Sequence, residues 1–282
     1  SQVFFLKHYF DIIIIGVPPK NHLTLIKLCK KNLKFKKILV EKPLCVYDEN
    51  FNFFKKKDFK DKVFCGYNHS ISKSFLYFVK NLKNFLKKNK SNIKIDIEWK
   101  ESFDLILKAH PWIDSLNQSY LSNFKIGGGV SHEYSHAIHL LIILKELLFR
   151  NNTPKFKKKI QFKKAGRFKY DNFVHLTYFD NSKELNLTIN SKNNPAIKKI
   201  SVDVNGKKFL NWHRLLEKQR EMYSVNFPIK KNKIFLITRR KDFINELELL
   251  LKKNNKSIIK YLNLDYAIKV NLFLKKMFKK NV

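Results

Sequence analysis

The feature that most constrains the fold is a pair of apolar, β-branched runs on either side of one short helical segment. The runs cover residues 11–17 (DIIIIGV) and 36–40 (KKILV). Continuous runs of this length are typical of strands buried on both faces of a parallel sheet. Pro18-Pro19 ends the first run, and Asn21 is suited to cap the helix HLTLIKLCKKN. The order and the short loops predict a right-handed βαβ crossover.

The same pattern repeats once and then changes near Asn68. A helix is predicted over residues 48–57 and a third strand over 62–67. Beyond Asn68 the strands follow one another without helices between them, which favours an antiparallel or mixed open sheet. The predicted later elements are a helix over 73–88, strands over 93–99, 159–168, 172–179, 184–190 and 199–204, a hairpin turn at Asn205-Gly206, and an amphipathic helix over 264–278.

The formal net charge of +35 needs an explanation of its own. Six of the 58 basic residues are arginine, and the lysines are spread along nearly every segment. A nucleic-acid-binding protein would gather its basic residues on one face and interleave stacking aromatics. We therefore predict no specific nucleic-acid partner.

Cysteine spacing and apolar run length exclude three further classes of protein. The three cysteines lack a paired C-x-x-C spacing, so neither a disulfide framework nor a zinc ribbon is predicted. No apolar run reaches the roughly 18 residues that a membrane span needs, and the start of the sequence lacks a signal-peptide pattern. The protein is expected to be soluble and cytoplasmic.

Two segments carry residues suited to an active site. Glu41-Lys42-Pro43 follows the second buried strand, at the edge where open α/β sheets bind ligands. A lysine there can donate a hydrogen bond to a substrate hydroxyl and stabilise negative charge on its oxygen, although a turn with a solvated ammonium also fits. The second segment suits a loop close to a ligand, or a flexible surface loop, and contains His110, Trp112, Tyr120 and the triple glycine 127–129.

A third segment, His132-Glu133-Tyr134-Ser135-His136, matches the zinc-hydrolase signature H-E-x-x-H. In that signature two histidines one helical turn apart bind the metal and the glutamate activates water. A third ligand is also required, and neither His139 nor Glu146 has the spacing of the long zinc signature. The zinc interpretation is therefore incomplete.

Taken together, these segments resemble the Gfo/Idh/MocA oxidoreductases, which include glucose-fructose oxidoreductase and inositol dehydrogenase. Residues 11–22 are similar to the family's fourth strand and its P-x-x-H turn, and the spacing from there to Glu41-Lys42-Pro43 also matches. Residues 110–136 are similar to a branch associated with surface-polysaccharide and amino-sugar synthesis, in which the end reads G-G-G-V-x-x-E-x-S-H. On that match Glu133 and His136 take the family's acid and histidine positions, and H-E-x-x-H is coincidental.

The resemblance implies two domains. Residues 1–68 are expected to form an N-terminally truncated Rossmann domain, since the first strand, the G-x-G-x-x-G turn and the first helix have no counterpart in this sequence. Residues 69–282 are expected to form an α+β domain with an open, mostly antiparallel sheet that binds the substrate and makes a homo-oligomer, a dimer or tetramer. The last helix is expected to pack back on the first domain.

The resemblance also implies hydride transfer between a sugar hydroxyl and NAD or NADP. His136, with a pKa expected near neutrality, would accept the hydroxyl proton; Lys42 would orient the hydroxyl; Glu133 would hold the substrate or the imidazole. The implied cofactor contacts are Pro18, Pro19, His22, Glu41, Lys42 and Asn68, and the implied sugar contacts are His69, His110, Trp112 and Tyr120. No metal ligands are expected. Two alternatives stay open, a zinc hydrolase and a non-catalytic remnant of the fold.

Overall fold

A computed structural model describes residues 8–50, 52–55, 57–88, 91–109, 115–150, 152–217, 220–226, 232–237, 239–252 and 256–278. These residues form a three-stranded parallel sheet and an eight-stranded mixed sheet. The strands are β1 (Tyr9–Ile15), β2 (Lys34–Val40), β3 (Val63–Cys65), β4 (Ile93–Lys100), β5 (Lys155–Ala165), β6 (Phe168–Phe179), β7 (Lys183–Asn190), β8 (Ile197–Val204), β9 (Lys207–Glu217), β10 (Arg220–Asn226) and β11 (Lys233–Ile237). The helices are α1 (His22–Asn32), α2 (Lys57–Lys60), α3 (Lys73–Lys88), α4 (Phe103–Ala109), α5 (Val130–Glu133), α6 (Ser135–Phe149), α7 (Arg239–Leu251), α8 (Lys256–Ile259) and α9 (Leu264–Phe278). The predicted fold class is confirmed.

The small sheet contains the predicted βαβ unit. β1 and β2 are parallel and adjacent, with Ile13 opposite Ile38 and Ile15 opposite Val40, and α1 connects them. Asn21 directly precedes α1, but its side chain makes no capping hydrogen bond, because a 3-10 turn from Pro19 already leads the backbone into the helix. The start of α1 was therefore predicted correctly, and the proposed cap was wrong.

The prediction that β1 is buried on both faces was also wrong. β1 lies at the edge of the small sheet; Ile15 is 4% exposed, whereas Ile14 on the opposite face is 57% exposed. On β2 that same opposite face carries Lys37, whose ammonium donates a hydrogen bond to the Leu250 carbonyl of α7. An apolar run predicts a strand, but its burial depends on which elements pack over it.

The helix predicted over residues 48–57 does not form as one element. Asn50 accepts a hydrogen bond from the Asn52 amide, which starts a 3-10 turn over Asn52–Lys55, and only the one-turn helix α2 follows. Side-chain to backbone bonds of this kind compete with helical ones. The rings of Phe53, Phe54 and Phe59 pack together at 4.1–5.5 Å, which stabilises this irregular path.

The large sheet has the strand order β11-β10-β9-β8-β4-β7-β6-β5. β4 pairs with β7 in parallel and with β8 in antiparallel, and the other pairs are antiparallel. Alternate residues of β4, from Ile93 to Trp99, are buried. The predicted hairpin turn is present, with Asn205 and Gly206 both in the left-handed region, at φ values of 49° and 78°.

The end of the chain packs against the small sheet. The Leu262 carbonyl accepts a hydrogen bond of 2.8 Å from the Cys65 amide, and Asn263 forms a bridge with Phe64, so this segment lies along β3. From α9, Asn271 Nδ2 donates to the Cys45 carbonyl at 2.7 Å. These contacts join the first and last parts of the described chain.

The outer face of the large sheet is polar. Thr177 donates to Asn186, which in turn donates to Asp96, both at 2.8 Å. His175 Nδ1 lies 3.0 Å from the Thr188 hydroxyl. Association of copies through this sheet stays a prediction.

Within the described residues, no helix combines the length and the apolar character needed to cross a membrane.

Candidate active site

The carboxyl ends of β1, β2 and β3 meet at one edge of the small sheet, where open α/β sheets bind ligands. A cavity of about 340 Å³ lies between this edge and the large sheet. It is lined by Glu41, Lys42, Gly66, Asn68, His69, Trp99, Glu101, Leu105, Ile106, Glu133, Tyr134, His136, Lys198, Arg214, Asp242 and Phe243. Charged and aromatic side chains from both sheets therefore converge on one space.

Lys42 is held at this cavity by Glu133. Its ammonium lies 3.3 Å from Glu133 Oε1 and donates a 2.5 Å hydrogen bond to the Glu133 backbone carbonyl. The two side chains are 17% and 16% exposed. At this depth water screens the charges less than at the surface, so the ion pair is stronger than an exposed one.

Glu133 has a second partner in Tyr120, whose hydroxyl donates to Glu133 Oε2 at 2.8 Å. Burial, and secondarily the charge of Glu133, raises the pKa of the Tyr120 hydroxyl, which therefore stays protonated. Glu133 thus receives a cationic donor on one oxygen and a neutral donor on the other, which fixes its carboxylate plane.

The triple glycine before α5 is required by packing and does not form a flexible surface loop. A Cβ on Gly128 would lie 2.1 Å from the Tyr120 carbonyl oxygen, and one on Gly129 would lie 1.9 Å from Asp171 Oδ1. Gly127 and Gly129 also have positive φ values of 100° and 83°. Only glycine lets this segment approach its neighbours so closely, and the segment delivers Glu133 to Lys42.

Asp171 on β6 holds the start of α5. Its Oδ2 accepts hydrogen bonds from the Ser131 amide at 2.9 Å and the Ser131 hydroxyl at 2.6 Å. Asp171 is fully buried, and this burial raises its pKa from 3.8 to about 6, against the opposing effect of the Ser131 hydrogen bonds. A carboxyl group of the large sheet therefore positions the segment that carries Glu133.

The raised pKa of Asp171 predicts a pH-dependent contribution to stability. Because the folded state binds this proton more tightly than the unfolded chain, the contribution is fully present below about pH 4 and is lost as the pH rises to about 6. The shift corresponds to about 3 kcal/mol. Urea unfolding at about pH 4 and about pH 6 measures the effect. We expect the difference in unfolding free energy between wild type and Asp171→Asn to change by about 3 kcal/mol between these two pH values.

The exposed carboxyl group of Asp61 provides the control for this measurement. Asp61→Asn makes the same chemical change at the surface, and its unfolding free energy should differ from that of the wild type by no more than about 0.5 kcal/mol. A difference between wild type and Asp171→Asn that stays constant from about pH 4 to about pH 6 would show that Asp171 does not titrate in this range.

The two histidines of the H-E-x-x-H segment do not share a site. Tyr134, with φ −97° and ψ 32°, interrupts the helix between α5 and α6. His132 is buried with Nδ1 3.1 Å from the Gly128 carbonyl, and its ring stacks on Phe278. His136 lines the cavity instead. The interruption removes the one-turn spacing on which the zinc interpretation depended.

The remaining requirement of that interpretation, a third ligand, is not met either. Glu146 accepts a 2.6 Å hydrogen bond from the Tyr266 hydroxyl at the surface. No three metal-binding side chains come together among the residues that the structure describes. The described side chains therefore do not fit the arrangement that the zinc-hydrolase signature requires.

His136 is enclosed by aromatic rings. Its ring centroid lies 4.6 Å from that of His69, 5.8 Å from Tyr67 and 6.2 Å from Trp99, and His139 stacks on Tyr67 at 4.2 Å. Burial, and then the positive charge of neighbouring groups, lowers the pKa of His136 well below 6.5. The expectation of a near-neutral pKa was wrong, and His136 is an uncharged imidazole at physiological pH.

The structure brings together six of the predicted site residues at the cavity and places others apart. The six are Glu41, Lys42, Asn68, His69, Glu133 and His136. Tyr120 reaches the site through Glu133. Pro18 is exposed at the end of β1, and Pro19 is buried against Gly127. His110 and Trp112 lie outside the described residues.

His22 does not face the cavity, contrary to its predicted contact with the cofactor. It is fully buried, with Nδ1 3.0 Å from the Pro43 carbonyl and Nε2 2.6 Å from the Val17 carbonyl. Both ring nitrogens are therefore occupied by backbone. His22 thus links the loop after β1 to the loop after β2. Because Lys42 lies in the second of these loops, this link helps to fix the position of Lys42.

Sequence reasoning missed seven polar or aromatic residues of the cavity, which are Trp99, Glu101, Tyr134, Lys198, Arg214, Asp242 and Phe243. Lys198 lies 3.4 Å from Glu101 Oε2 and over the Trp99 ring at 5.1 Å. A tryptophan and an acid at the end of a strand were a usable signal. The charged residues from later in the chain carried no such signal. Lysine occurs in nearly every segment, so a single charged residue does not stand out in the sequence.

Comparison with known proteins supports the fold at low sequence identity. No protein-family model matches the chain, and neither does any curated protein. The chain is similar to an inositol dehydrogenase homologue from Azotobacter vinelandii complexed with NAD+ (TM-score 0.65, 9% identity, 96% of this chain and 77% of that chain). It is also similar to levoglucosan dehydrogenase in complex with NADH and L-sorbose (0.64, 12%, 95% and 77%) and to a super-repressor mutant of Gal80p from Saccharomyces cerevisiae (0.59, 12%, 96% and 77%). The chain thus has the fold of the Gfo/Idh/MocA-type dehydrogenases, as predicted.

Proposed function

We propose that this protein is an NAD(P)-dependent oxidoreductase that transfers a hydride between the cofactor and a hydroxyl-bearing carbon of a sugar or polyol. The observation that carries the proposal is the Lys42–Glu133 ion pair beside the uncharged His136 in one cavity at the carboxyl edge of the small sheet. A cation to stabilise oxygen charge and a base to accept a proton are what oxidation of a hydroxyl requires.

The residues at the sheet edge fit the nicotinamide end of the cofactor. Asn68 Oδ1 is buried without a hydrogen-bond partner among the described residues, and a carboxamide could donate to it. Apart from Gly16 and its two chain neighbours, no described heavy atom lies within 4 Å of the position that a Cβ on Gly16 would take, so there is open space for a ligand at the end of β1. Pro18, Glu41, Lys42 and Asn68 would hold this end. When bound, nicotinamide supplies the hydride acceptor or donor.

Lys42 acts on the substrate oxygen. An ammonium has three donors, and Glu133 accounts for two of them through its backbone and its carboxylate. The third can donate to the reacting hydroxyl and lower the pKa of that hydroxyl as its proton leaves. The ion pair fixes the direction of the Lys42 ammonium.

His136 accepts the hydroxyl proton. The imidazole is uncharged because burial lowers its pKa, so a ring nitrogen has a lone pair available. An imidazole with a lowered pKa is a weak base, and the transfer is favourable only because Lys42 acidifies the hydroxyl. As the C–H bond breaks and the hydride leaves, the proton passes from oxygen to nitrogen.

The cavity suits an uncharged sugar ring. It is lined by Lys42, Lys198 and Arg214 and by Glu41, Glu101, Glu133 and Asp242, so neither sign of charge dominates. Such a set offers alternating donors and acceptors to several hydroxyl groups, and Trp99 and His69 supply ring faces. The association with polysaccharide or amino-sugar synthesis rests on the sequence resemblance alone and stays a prediction.

Deuterium transfer tests the proposal. The protein is incubated with NAD or NADP and with sugars or polyols deuterated at a hydroxyl-bearing carbon, and we expect reduced cofactor that carries the deuterium. Chelators should not affect the reaction. Reduced cofactor without transferred deuterium, or none with any sugar or polyol although both ligands bind, would contradict hydride transfer.

A non-catalytic binding protein is the second candidate, and the likeness to the Gal80p mutant favours it because that protein is a repressor. Such a protein would bind nicotinamide and sugar in the same cavity without turnover. The same experiment separates the two candidates, since only an enzyme moves the deuterium.

A further inference from the structure

A second cavity of about 420 Å³ lies beside the candidate active site, between the start of α3, β11 and α7. Each of the two cavities falls within the range of about 300–1,000 Å³ that is usual for small-molecule sites. The proposed reaction uses the first cavity and leaves the second without a role.

The two cavities adjoin each other. Asn68 and Asp242 line both of them, Asn68 in the 3-10 turn that follows β3 and Asp242 in the first turn of α7. A molecule bound at Lys42 can therefore extend past these two residues into the second space. A ligand that spans both cavities loses its translational freedom once, which favours one extended molecule over two separate ones.

The chemistry of the two cavities differs. The active-site cavity is lined mainly by charged and ring-bearing side chains, whereas the second has apolar walls formed by Ile71, Leu76, Leu249 and Ile258. Phe235 of β11 adds an aromatic face. These apolar side chains offer no hydrogen bonds to hydroxyl groups, so a second sugar ring packed against them would lose hydrogen bonds there.

Polar and charged side chains also line the second cavity. Lys73 begins α3, while Lys241 and Lys252 lie at opposite ends of α7. Lys252 is paired with Glu248 at 3.0 Å. An apolar group that carries polar or anionic substituents at its edge fits this arrangement.

From this geometry we infer that the second cavity binds an apolar, preferably aromatic, substituent of the sugar, so that the substrate is a glycoside and not a free sugar. The inference rests on the proposed function, because it assigns the reacting ring to the first cavity. It specifies the chemical class of the aglycone, the group attached to the sugar, which the Lys42 site alone does not determine.

Calorimetric titration with paired glycosides tests the inference. Methyl and 4-nitrophenyl glycosides of the same hexoses and N-acetylhexosamines are titrated into the whole protein. For the sugar that binds best, burial of the nitrophenyl ring should make its glycoside at least about tenfold tighter than the methyl glycoside. Affinity ratios within about threefold for every sugar, or no binding of any glycoside, would overturn the inference.

Two adjacent residues of α7 provide a matched pair of variants. Asn245 lines the cavity, whereas Ile244 is 43% exposed and lines neither cavity. Asn245→Trp should fill the space and reduce the affinity for the nitrophenyl glycoside to that for the methyl glycoside, whose own affinity should not change. Ile244→Trp should change neither affinity. An unchanged preference in Asn245→Trp would overturn the inference.

A second variant covers the case in which Asn245→Trp fails to fold. Leu249→Lys introduces a charge into the apolar wall without filling the space, and it should remove the same preference. Binding requires no turnover, so the test separates the two ideas. A nitrophenyl preference in a protein that never moves a hydride rejects the proposed reaction alone, and hydride transfer without the preference rejects the inference alone.

Discussion

Lys42→Met is expected to lower kcat by about 10²–10³-fold while the dissociation constants of the nicotinamide cofactors change by less than about threefold. The ammonium is the cation held at the cavity by Glu133, and methionine keeps the length of the side chain but removes the charge and the donors. The loss falls on kcat because the negative charge on the substrate oxygen develops only in the transition state. Steady-state kinetics and calorimetric titration with NADH and NADPH measure the two quantities.

Lys36→Met is the matched control for this experiment. Lys36 lies on β2, the strand that precedes Lys42, and its side chain is 43% exposed beside an exposed Asp11 at 4.0 Å. Surface pairs of this kind contribute between zero and about 1 kcal/mol, so both turnover and stability should stay near the wild-type values. If Lys42→Met kept near-normal turnover, Lys42 would have no part in the reaction.

Gly128→Ala should destabilise the fold by about 3 kcal/mol or more. The new Cβ would lie 2.1 Å from the Tyr120 carbonyl oxygen and 2.7 Å from that of Leu121, and both atoms belong to the backbone, which cannot move aside as a side chain can. The Gly129 amide also donates to the Leu121 carbonyl at 2.9 Å, so a shift of this segment breaks that bond as well. Equilibrium urea unfolding measures the effect.

Gly16→Ala makes the same chemical change where a Cβ would meet no atom within 4 Å. Its unfolding free energy should differ from that of the wild type by no more than about 0.5 kcal/mol. Equal losses in the two variants would mean that the close approach at Gly128 is not what requires glycine.

The strands and long helices were predictable because their signals are local. The run DIIIIGV and the following helix predict a βαβ unit from adjacent residues, and α3 and α9 have the predicted bounds. The exposure of Ile14 was not predictable, since it depends on which elements pack over β1. The helix expected over 48–57 failed for a local reason, the Asn50 turn, that outweighed apolar periodicity.

The candidate site was predictable only in part. Lys42, Glu133 and His136 were chosen from the family resemblance, and the structure places them at one cavity. The lowered pKa of His136 was not foreseen, because burial and the charges of Lys42 and Lys198 act on it only after folding. The sequence also contained no sign that Tyr134 would separate the two histidines of H-E-x-x-H.

The contacts of β3 with the end of the chain have a consequence for synthesis on the ribosome. β3 is made early, but its amide at Cys65 bonds to Leu262, and Cys45 is held by Asn271 of α9. Translation adds about 5–20 residues per second, so these partners emerge roughly 10–40 s after β3 does. For that interval the β3 edge of the nascent small sheet stays uncovered, and an uncovered edge is a surface that a chaperone shielding unpaired strands would bind.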